Sequence, residues 1–356
     1  MLVISNEEVD RILTMPACLA VLEELYRDFG RNKALFMPRV DNILPCGYED
    51  AYYGFKTMGG AWPRYSIMAL RINSDIITHP KVAGRRRRVK IPQAGGCWVG
   101  LVQLFNTETG ELQAIFPDGV AQRMRVGATN GLGIKYLAKP DAHRAGIIGS
   151  GWQAGAQLLA LMATRPIEQV KVYSPSKKNR HAFVEEMRTK TNKDIHAVDS
   201  PQECARDVDI LMAATSSLAR VIEPEWLRSG MHVSCIKAQE VDEAVFDRCD
   251  RIVVHTKVKA RQAGNILPGT QHIPDTPSAG WWKNEKTAPK NFPDLADLLC
   301  DRETGRENDG QITCFVNNIG LGLQFAALGA LIYKKAQEAG IGKNLPDEWF
   351  TESVHP

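Results

Sequence analysis

Six consecutive residues, Gly149-Ser150-Gly151-Trp152-Gln153-Ala154, have the types and order that can hold a diphosphate. A short apolar run at residues 145–148 precedes them and reads as a buried strand. An apolar-periodic stretch follows through Leu158, Leu159, Leu161 and Met162, and Pro166 ends it. Strand, glycine turn and helix is the context in which a dinucleotide fingerprint works. Gly149 permits the tight turn, Gly151 lets the backbone approach a diphosphate, and Ala154 or Gly155 lets the helix lie close to the strand. The unpaired N–H groups at the helix N-terminus would then face the anion. The alternative is a glycine-rich turn that holds nothing.

The next strand, at residues 169–173, ends on Ser174-Pro175-Ser176-Lys177-Lys178-Asn179-Arg180. An acid at that place suits the ribose hydroxyls of NAD and repels a 2′-phosphate. Here Ser174, Ser176, Lys177 and Arg180 offer hydroxyls and positive charge instead. The expectation is NADP(H) preferred, with NAD(H) possible. Thr215 and Ser216, at the end of a strand over residues 209–215, would face the same cofactor.

These groups need a frame. The chain has 356 residues, 44% hydrophobic and 24% charged, which is ordinary for a globular protein and allows two domains. A net charge of +3 is too mild to imply nucleic acid. The four arginines 85–88 are read as part of a solvated loop between strands. Eight scattered cysteines without metal spacing read as reduced thiols of a cytoplasmic protein, and no metal is expected. No apolar run reaches the roughly 18 residues of a membrane span, so no membrane partner is expected.

Helical spacing covers residues 1–30, opened by Ser5 with Glu7 and Glu8 behind it. Strands are expected at residues 66–72, 98–105 and 112–116, the last two joined by a hairpin turn at 106–110. Asp118-Gly119 opens a helix at 120–137 that carries Arg123 and Arg125. After the glycine motif, strands at 209–215, 230–237 and 251–255 alternate with helices, which argues for a parallel sheet with crossover helices. Residues 268–310 read as loops around a short helix at 295–299; Trp281-Trp282 there either anchor a long loop or face a substrate. A helix at 320–340, apolar on most sides, should be buried against the N-terminal part or a second subunit.

The order of these pieces resembles the ornithine cyclodeaminase/μ-crystallin family. The resemblance rests on Met37-Pro38-Arg39, Thr109-Gly110-Glu111, Arg125-Val126-Gly127-Ala128, Gly149-Ser150-Gly151-Trp152-Gln153-Ala154, and Cys314-Phe315 through Gly320. It implies an α/β subunit in which a Rossmann-type parallel sheet domain, residues 126–313, is inserted into a second α+β substrate and dimerisation domain, residues 1–125 plus 314–356. A homodimer is implied. So is hydride transfer at a carbon bearing nitrogen and a carboxylate.

By the same resemblance, Arg39 and Arg125 fall on the family's substrate-carboxylate arginines, and Arg71 stands where the family has a lysine. Gln239 stands where the cyclodeaminases have a catalytic aspartate, and a carboxamide cannot take a proton from an amine. The chain is therefore expected to be an NAD(P)H-dependent oxidoreductase that reduces an imine of a carboxylated small molecule. Lys237 and Asp118 are its candidate proton donors. The alternatives are an ammonia lyase with recycled NAD, and a non-catalytic NADPH-dependent binding protein.

Overall fold

Two kinds of residue pattern produce two kinds of sheet. Strands buried on both faces read as continuous apolar runs and assemble in parallel; strands with one dry face alternate. The computed structural model describes residues 1–82, 84–259, 264–270 and 288–354, so Trp281 and Trp282 lie outside the described residues.

The mixed sheet is built from β1 (Leu2–Val3), β2 (Leu35–Pro45), β3 (Ala51–Trp62), β4 (Ile67–Thr78), and, after the β5 (Lys81–Val82) and β6 (Arg85–Arg86) hairpin, β7 (Val89–Ile91), β8 (Val99–Asn106) and β9 (Leu112–Pro117). Among the described residues its order is β16-β2-β3-β4-β8-β9-β1-β18, with β7 on β4, where β16 is Asn265–Ile266 and β18 is Lys343–Asn344. On β4 every second residue from Ile67 to Ile77 is buried. That face begins apolar with Ile67 and Ala69, then turns polar with Arg71, Asn73 and Asp75. The polar end is where a site can form.

The parallel sheet contains β10 (Arg144–Ile148), β11 (Gln169–Tyr173), β12 (Asp194–Ala197), β13 (Ile210–Ala213), β14 (His232–Cys235), β15 (Arg251–Val254) and β17 (Thr313–Val316). Its order is β12-β11-β10-β13-β14-β17-β15, and every pairing is parallel. The chain order reverses at β10, between β11 and β13. Ligands of open α/β sheets bind at such a point, beyond the C-terminal strand ends.

Several expectations need correction. The N-terminal helix is two, α1 (Asn6–Ile12) and α2 (Met15–Gly30), because Leu13 and Thr14 are extended and Pro16 must start a new first turn. Ser5 does cap α1, in a box with Glu8. The long strands β2 and β3 were not expected; glycine and proline interrupt their alternation. The arginine run is not only a loop: Arg87 bridges Ser217, and Arg88 N donates to Ser216 O, so the segment reaches the nucleotide sheet. Cys314 to Val316 belong by hydrogen bonding to the parallel sheet, so a boundary at residue 313 separates β17 from its neighbours. Helix α3 (Gly119–Leu137) likewise spans the boundary at 125.

The remaining helices are α4 (Trp152–Thr164), α5 (Lys177–Thr191), α6 (Pro201–Ala205), α7 (Glu243–Phe246), α8 (Leu295–Leu299) and α9 (Leu323–Ala339). Helix α9 is buried within its own chain, sharing one core with α2, α3, β3 and β4 through Phe325, Leu328, Ile332, Leu22, Leu132 and Trp62. Glycines let it close: a Cβ on Gly60 would stand 2.5 Å from the Leu323 Cα. No described helix is long and apolar enough to cross a membrane.

Candidate functional site

The glycine turn has the geometry its sequence implies. Gly149 adopts φ +129°, and a Cβ there would meet the Ala214 carbonyl oxygen at 2.2 Å. Only glycine satisfies both conditions. Gly151 is the N-cap of α4, provides no side-chain cap, and has open space where a Cβ would point. The first turn of α4 carries no acid. Gln153 Oε1 is buried without a hydrogen-bond partner. An uncapped helix end beside an open glycine fits the diphosphate of a dinucleotide.

The neighbouring hydroxyls are already engaged. Ser150 Oγ donates to Ser174 Oγ at 2.8 Å, and Ser174 Oγ donates to the Ser176 carbonyl at 3.3 Å. Ser176 Oγ caps α5 by accepting from Asn179 N. Arg180 is buried, donates to the Ser174 carbonyl at 3.1 Å and pairs with the exposed Asp199 that follows β12. Lys177 and Lys178 are exposed at the start of α5. Trp152 is half exposed, and the Arg123 guanidinium lies 4.2 Å from its ring centroid.

At the end of β13, Thr215 turns to a group the sequence did not reveal. Glu240 is fully buried and accepts from Thr215 N (2.6 Å), Thr215 Oγ1 (2.7 Å), Ile236 N (3.0 Å) and Lys237 N (3.2 Å). Burial pushes its carboxyl above the ordinary range, against the pull of nearby Lys237 and the Thr215 donors. It ties the ends of β13 and β14 together. Only its place three residues after Lys237, a capping-box spacing, could have pointed to it. Lys237 Nζ donates to the Ser217 carbonyl at 2.6 Å, at the segment the arginine run bridges. Ser216 gives its carbonyl to Arg88 N.

The second locality is a cluster of guanidinium groups. Arg39 sits in a register shift between Met37 and Val40, where Pro38 has no N–H to donate to β3. It forms two parallel bonds to Asp41, at 2.7 and 2.9 Å. Arg71 bonds Asp118 Oδ2 through Nη2 at 2.6 Å and Nε at 2.8 Å, and Asn73 donates to the same oxygen at 3.0 Å. Asp118 occupies the N-cap position of α3 yet makes no cap; Asn6 Oδ1 accepts from Val120 N instead and frees the aspartate for Arg71. Gly100 leaves it room, since a Cβ there would stand 2.1 Å from Asp118 Oδ1.

Arg125 is buried. It donates through Nε and Nη2 to Gln122 Oε1, at 3.1 and 2.7 Å, and through Nη1 to Gln324 Oε1 at 2.9 Å. A Cβ on Gly320 would stand 1.9 Å from its Nη1. The Arg71 and Arg125 guanidiniums lie 5.4 and 5.5 Å from the Phe325 ring centroid, so the two cations share one aromatic platform. Burial first, and then neighbouring Arg71, push the Arg125 guanidinium down to about 9. Burial also lowers Arg71, opposed by Asp118. Guanidinium stays charged in proteins, so a buried one held only by carboxamides, as Arg125 is, favours an added anion.

The structure therefore brings Arg39, Arg71, Arg125 and Asp118 into one electrostatic group. It places Lys237 elsewhere, at the C-terminal end of the parallel sheet beside Ser217 and Glu240. Sequence reasoning missed the two carboxamides on Arg125. Gln122 lies three residues before it, a spacing that makes helix neighbours; Gln324 comes from a segment about 200 residues away and left no local signal. Among the described residues no cluster of three or more histidine, cysteine, aspartate or glutamate residues could hold a metal.

Comparison with known proteins gives this arrangement relatives. Delta(1)-pyrroline-2-carboxylate reductase of Bacillus cereus is 28% identical over 251 residues, 69% of this chain and 74% of the relative. Alanine dehydrogenase of Archaeoglobus fulgidus is 27% identical over 97% of this chain and 98% of its own. The structure of Thermococcus litoralis Delta(1)-pyrroline-2-carboxylate reductase in complex with NADH and L-proline superposes with a TM-score of 0.78. It covers 97% of this chain and 100% of its own at 26% identity. Residues 96–340 match the profile of the ornithine cyclodeaminase/mu-crystallin family, and the chain belongs to that family.

Proposed function

We infer that the protein is an NAD(P)H-dependent oxidoreductase that reduces the imine of a carboxylated substrate, acting as an imino-acid reductase or as an amino-acid or amino-acid-conjugate dehydrogenase. The observation that carries this reading is the pair of buried guanidiniums, Arg71 and Arg125, facing one aromatic ring, both depressed by burial, with the charge of Arg71 adding to the depression of Arg125. A carboxylate relieves that strain and is held by two parallel bonds to a planar fork. The relatives named reductases of a cyclic imino acid, one of them holding NADH and L-proline, support the same chemistry.

In this reading a nicotinamide, when bound, would supply the hydride for the imine carbon. The chain holds the carboxylate at Arg125 and Arg71, with Arg39 adding field, and fixes Arg125 through Gln122 and Gln324. A proton must reach the nitrogen. Asp118 is the first candidate because it sits inside the guanidinium group; Lys237 is the second. General acid catalysis contributes roughly 10²–10⁴-fold, so Asp118→Asn or Lys237→Ala with near-normal turnover clears that residue.

NADP(H) is proposed as the preferred cofactor, because Lys177 and Lys178 are exposed beside β11 and no acid stands in the first turn of α5. A cytoplasmic homodimer is proposed as well. Leu35, Met37 and Leu44 of β2, with Ile266 and Leu267, expose apolar surface on one edge of the mixed sheet. Light scattering of the purified protein measures its state.

The test is NADPH and NADH oxidation against 2-oxo acids paired with ammonia, methylamine or amino acids, and against preformed cyclic imines. Turnover with one carboxylated imine is the expected result. Ammonia released from ornithine without net cofactor consumption would overturn it in favour of a lyase. Cofactor binding without any turnover would favour a binding protein.

A further inference from the structure

Helices α3 and α4 run parallel and touch through small residues. A Cβ on Gly127 would meet the Ala156 carbonyl oxygen at 2.6 Å, and one on Gly131 would meet the Ala160 Cβ at 3.1 Å. The contact therefore pairs residue 127 with 156 and residue 131 with 160. One turn back along both helices, it pairs Arg123 with Trp152, the first residue of α4. The Arg123 side chain follows this register: its guanidinium lies over the Trp152 ring, and its Nη2 stands 3.6 Å from where a Gly155 Cβ would be.

Arg123 is more than nine-tenths buried, and its Nε has no hydrogen-bond partner. Among the described residues no carboxylate pairs with it. Nor does any side-chain acceptor hold it, whereas the other strongly buried arginines of the site each have one: Arg71 has Asp118, Arg125 has two glutamines, and Arg180 has Asp199. A ring face offers a cation less than an anion does, and a charge taken out of water without an anionic partner is costly. The same mouth holds the uncapped N-terminus of α4 and the open space at Gly151. Two independent sources of positive potential, a helix end and a guanidinium, converge on one place.

We propose that Arg123 is a diphosphate-binding residue, which reaches from α3 to the N-terminus of α4 and pairs with the phosphate bridge of the dinucleotide. This rests on the cofactor reading above. Arg123 does not serve the substrate. Arg125, two residues further on and so about 200° around the helix, faces Gln324 and Phe325, whereas Arg123 faces α4. Nor does it serve a 2′-phosphate, whose place is by Ser174 and Lys177 beyond β11. The fingerprint glycines give the anion its backbone cradle; Arg123 gives it a full charge from a second helix.

The test is calorimetric titration of wild type, Arg123→Gln and Arg123→Lys with NADH, NADPH and ADP-ribose, with apo thermal midpoints measured alongside. Loss of one charge-assisted bond should weaken all three ligands about ten- to a hundredfold in Arg123→Gln, with part of the affinity restored by lysine. If the glutamine variant does not fold, the lysine variant alone decides, with an expected weakening of all three. Equal affinities of wild type and the folded variants would overturn the proposal and leave the cofactor reading standing. Loss confined to NADPH would overturn it too and reassign Arg123 to the 2′-phosphate. Absence of any dinucleotide binding by wild type would overturn the cofactor reading itself, and this inference with it.

Discussion

The nucleotide turn and the guanidinium cluster solve the same problem, holding an anion, by opposite means. The turn uses backbone: Gly149 at positive φ, Gly151 without a side chain, and a helix end without a cap. The cluster uses charge: three arginines whose own buried acids, Asp41 and Asp118, pair with two of them and leave Arg125 on carboxamides. A backbone site fails when an atom is added. A charge site fails when an atom is removed or neutralised.

The largest expected effect breaks the first kind. Gly149→Val places a β-branched side chain at φ +129° with its Cβ 2.2 Å from the Ala214 carbonyl. The strain is of order 2–4 kcal/mol or more. NADH and NADPH binding should be lost and the thermal midpoint should drop by several degrees; retained binding would show that the turn does not hold the cofactor. Arg125→Gln is the matching test of the second kind. Removing a fork with two parallel charged bonds should cut kcat/KM by about 10²–10³-fold, mostly through KM. The dinucleotide Kd should stay within about twofold, since Arg125 faces α9 rather than α4. A large loss of dinucleotide affinity would mean the two localities are one.

The same contrast explains what could be read in advance. The turn is contiguous, and each residue's role follows from its type, so strand, turn and helix were all legible at their observed places. Strands β11, β13, β14 and β15 were legible for the same reason, being short apolar runs, whereas the short edge strand β12 was not expected. The cluster draws on residues 39, 71, 118, 122, 125, 320 and 324. Only the family resemblance marked its arginines, and nothing local marked Gln324 or the space Gly320 leaves. Strands β2 and β3 were illegible because Gly54, Gly59 and Gly60 sit where β4 and α9 approach closely, which breaks alternation for a packing reason. No strand was expected at residues 313–316, and the boundary after 313 cuts β17, because its partners are β14 and β15, a pairing that only the tertiary fold reveals.

A buried neutral histidine lies under each region, which lets acid compare them. His232 of β14 shares a 2.9 Å hydrogen bond with Thr313 beneath the nucleotide sheet. His255 donates from Nδ1 to the Ile319 carbonyl, so its Nε2 accepts from the Tyr26 hydroxyl at 2.5 Å. Burial pushes His255 down to about 3 and holds His232 well below its ordinary value. In the unfolded chain both titrate near 6.5. Above that pH they leave stability unchanged. As pH falls below it, the unfolded state binds protons the folded state refuses, down to about pH 3 for His255. Stability should therefore fall by up to about 1.4 kcal/mol per pH unit per histidine. Urea unfolding at pH 7.5, 6 and 5 checks this. His255→Asn should flatten the slope by about one proton, and an unchanged slope would mean that His255 is charged in the folded protein.

The smallest effect tests whether charge also reads the cofactor's far end. Arg180 is already engaged by the Ser174 carbonyl and by Asp199. That leaves Lys177 and Lys178, exposed at the first turn of α5. Exposed charges act through water and salt, and each is worth about 0.2–1 kcal/mol. The double variant Lys177→Ala/Lys178→Ala should therefore weaken NADPH by only about three- to tenfold, with NADH unchanged. Because the effect is Coulombic, it should shrink further at 0.5 M salt. The Gly149 effect, being steric, should not respond to salt at all. Equal NADPH and NADH affinities in the wild type would remove the preference altogether; the end of β11 would then be a backbone site like the turn beside it, with its lysines serving only the solvated face of α5.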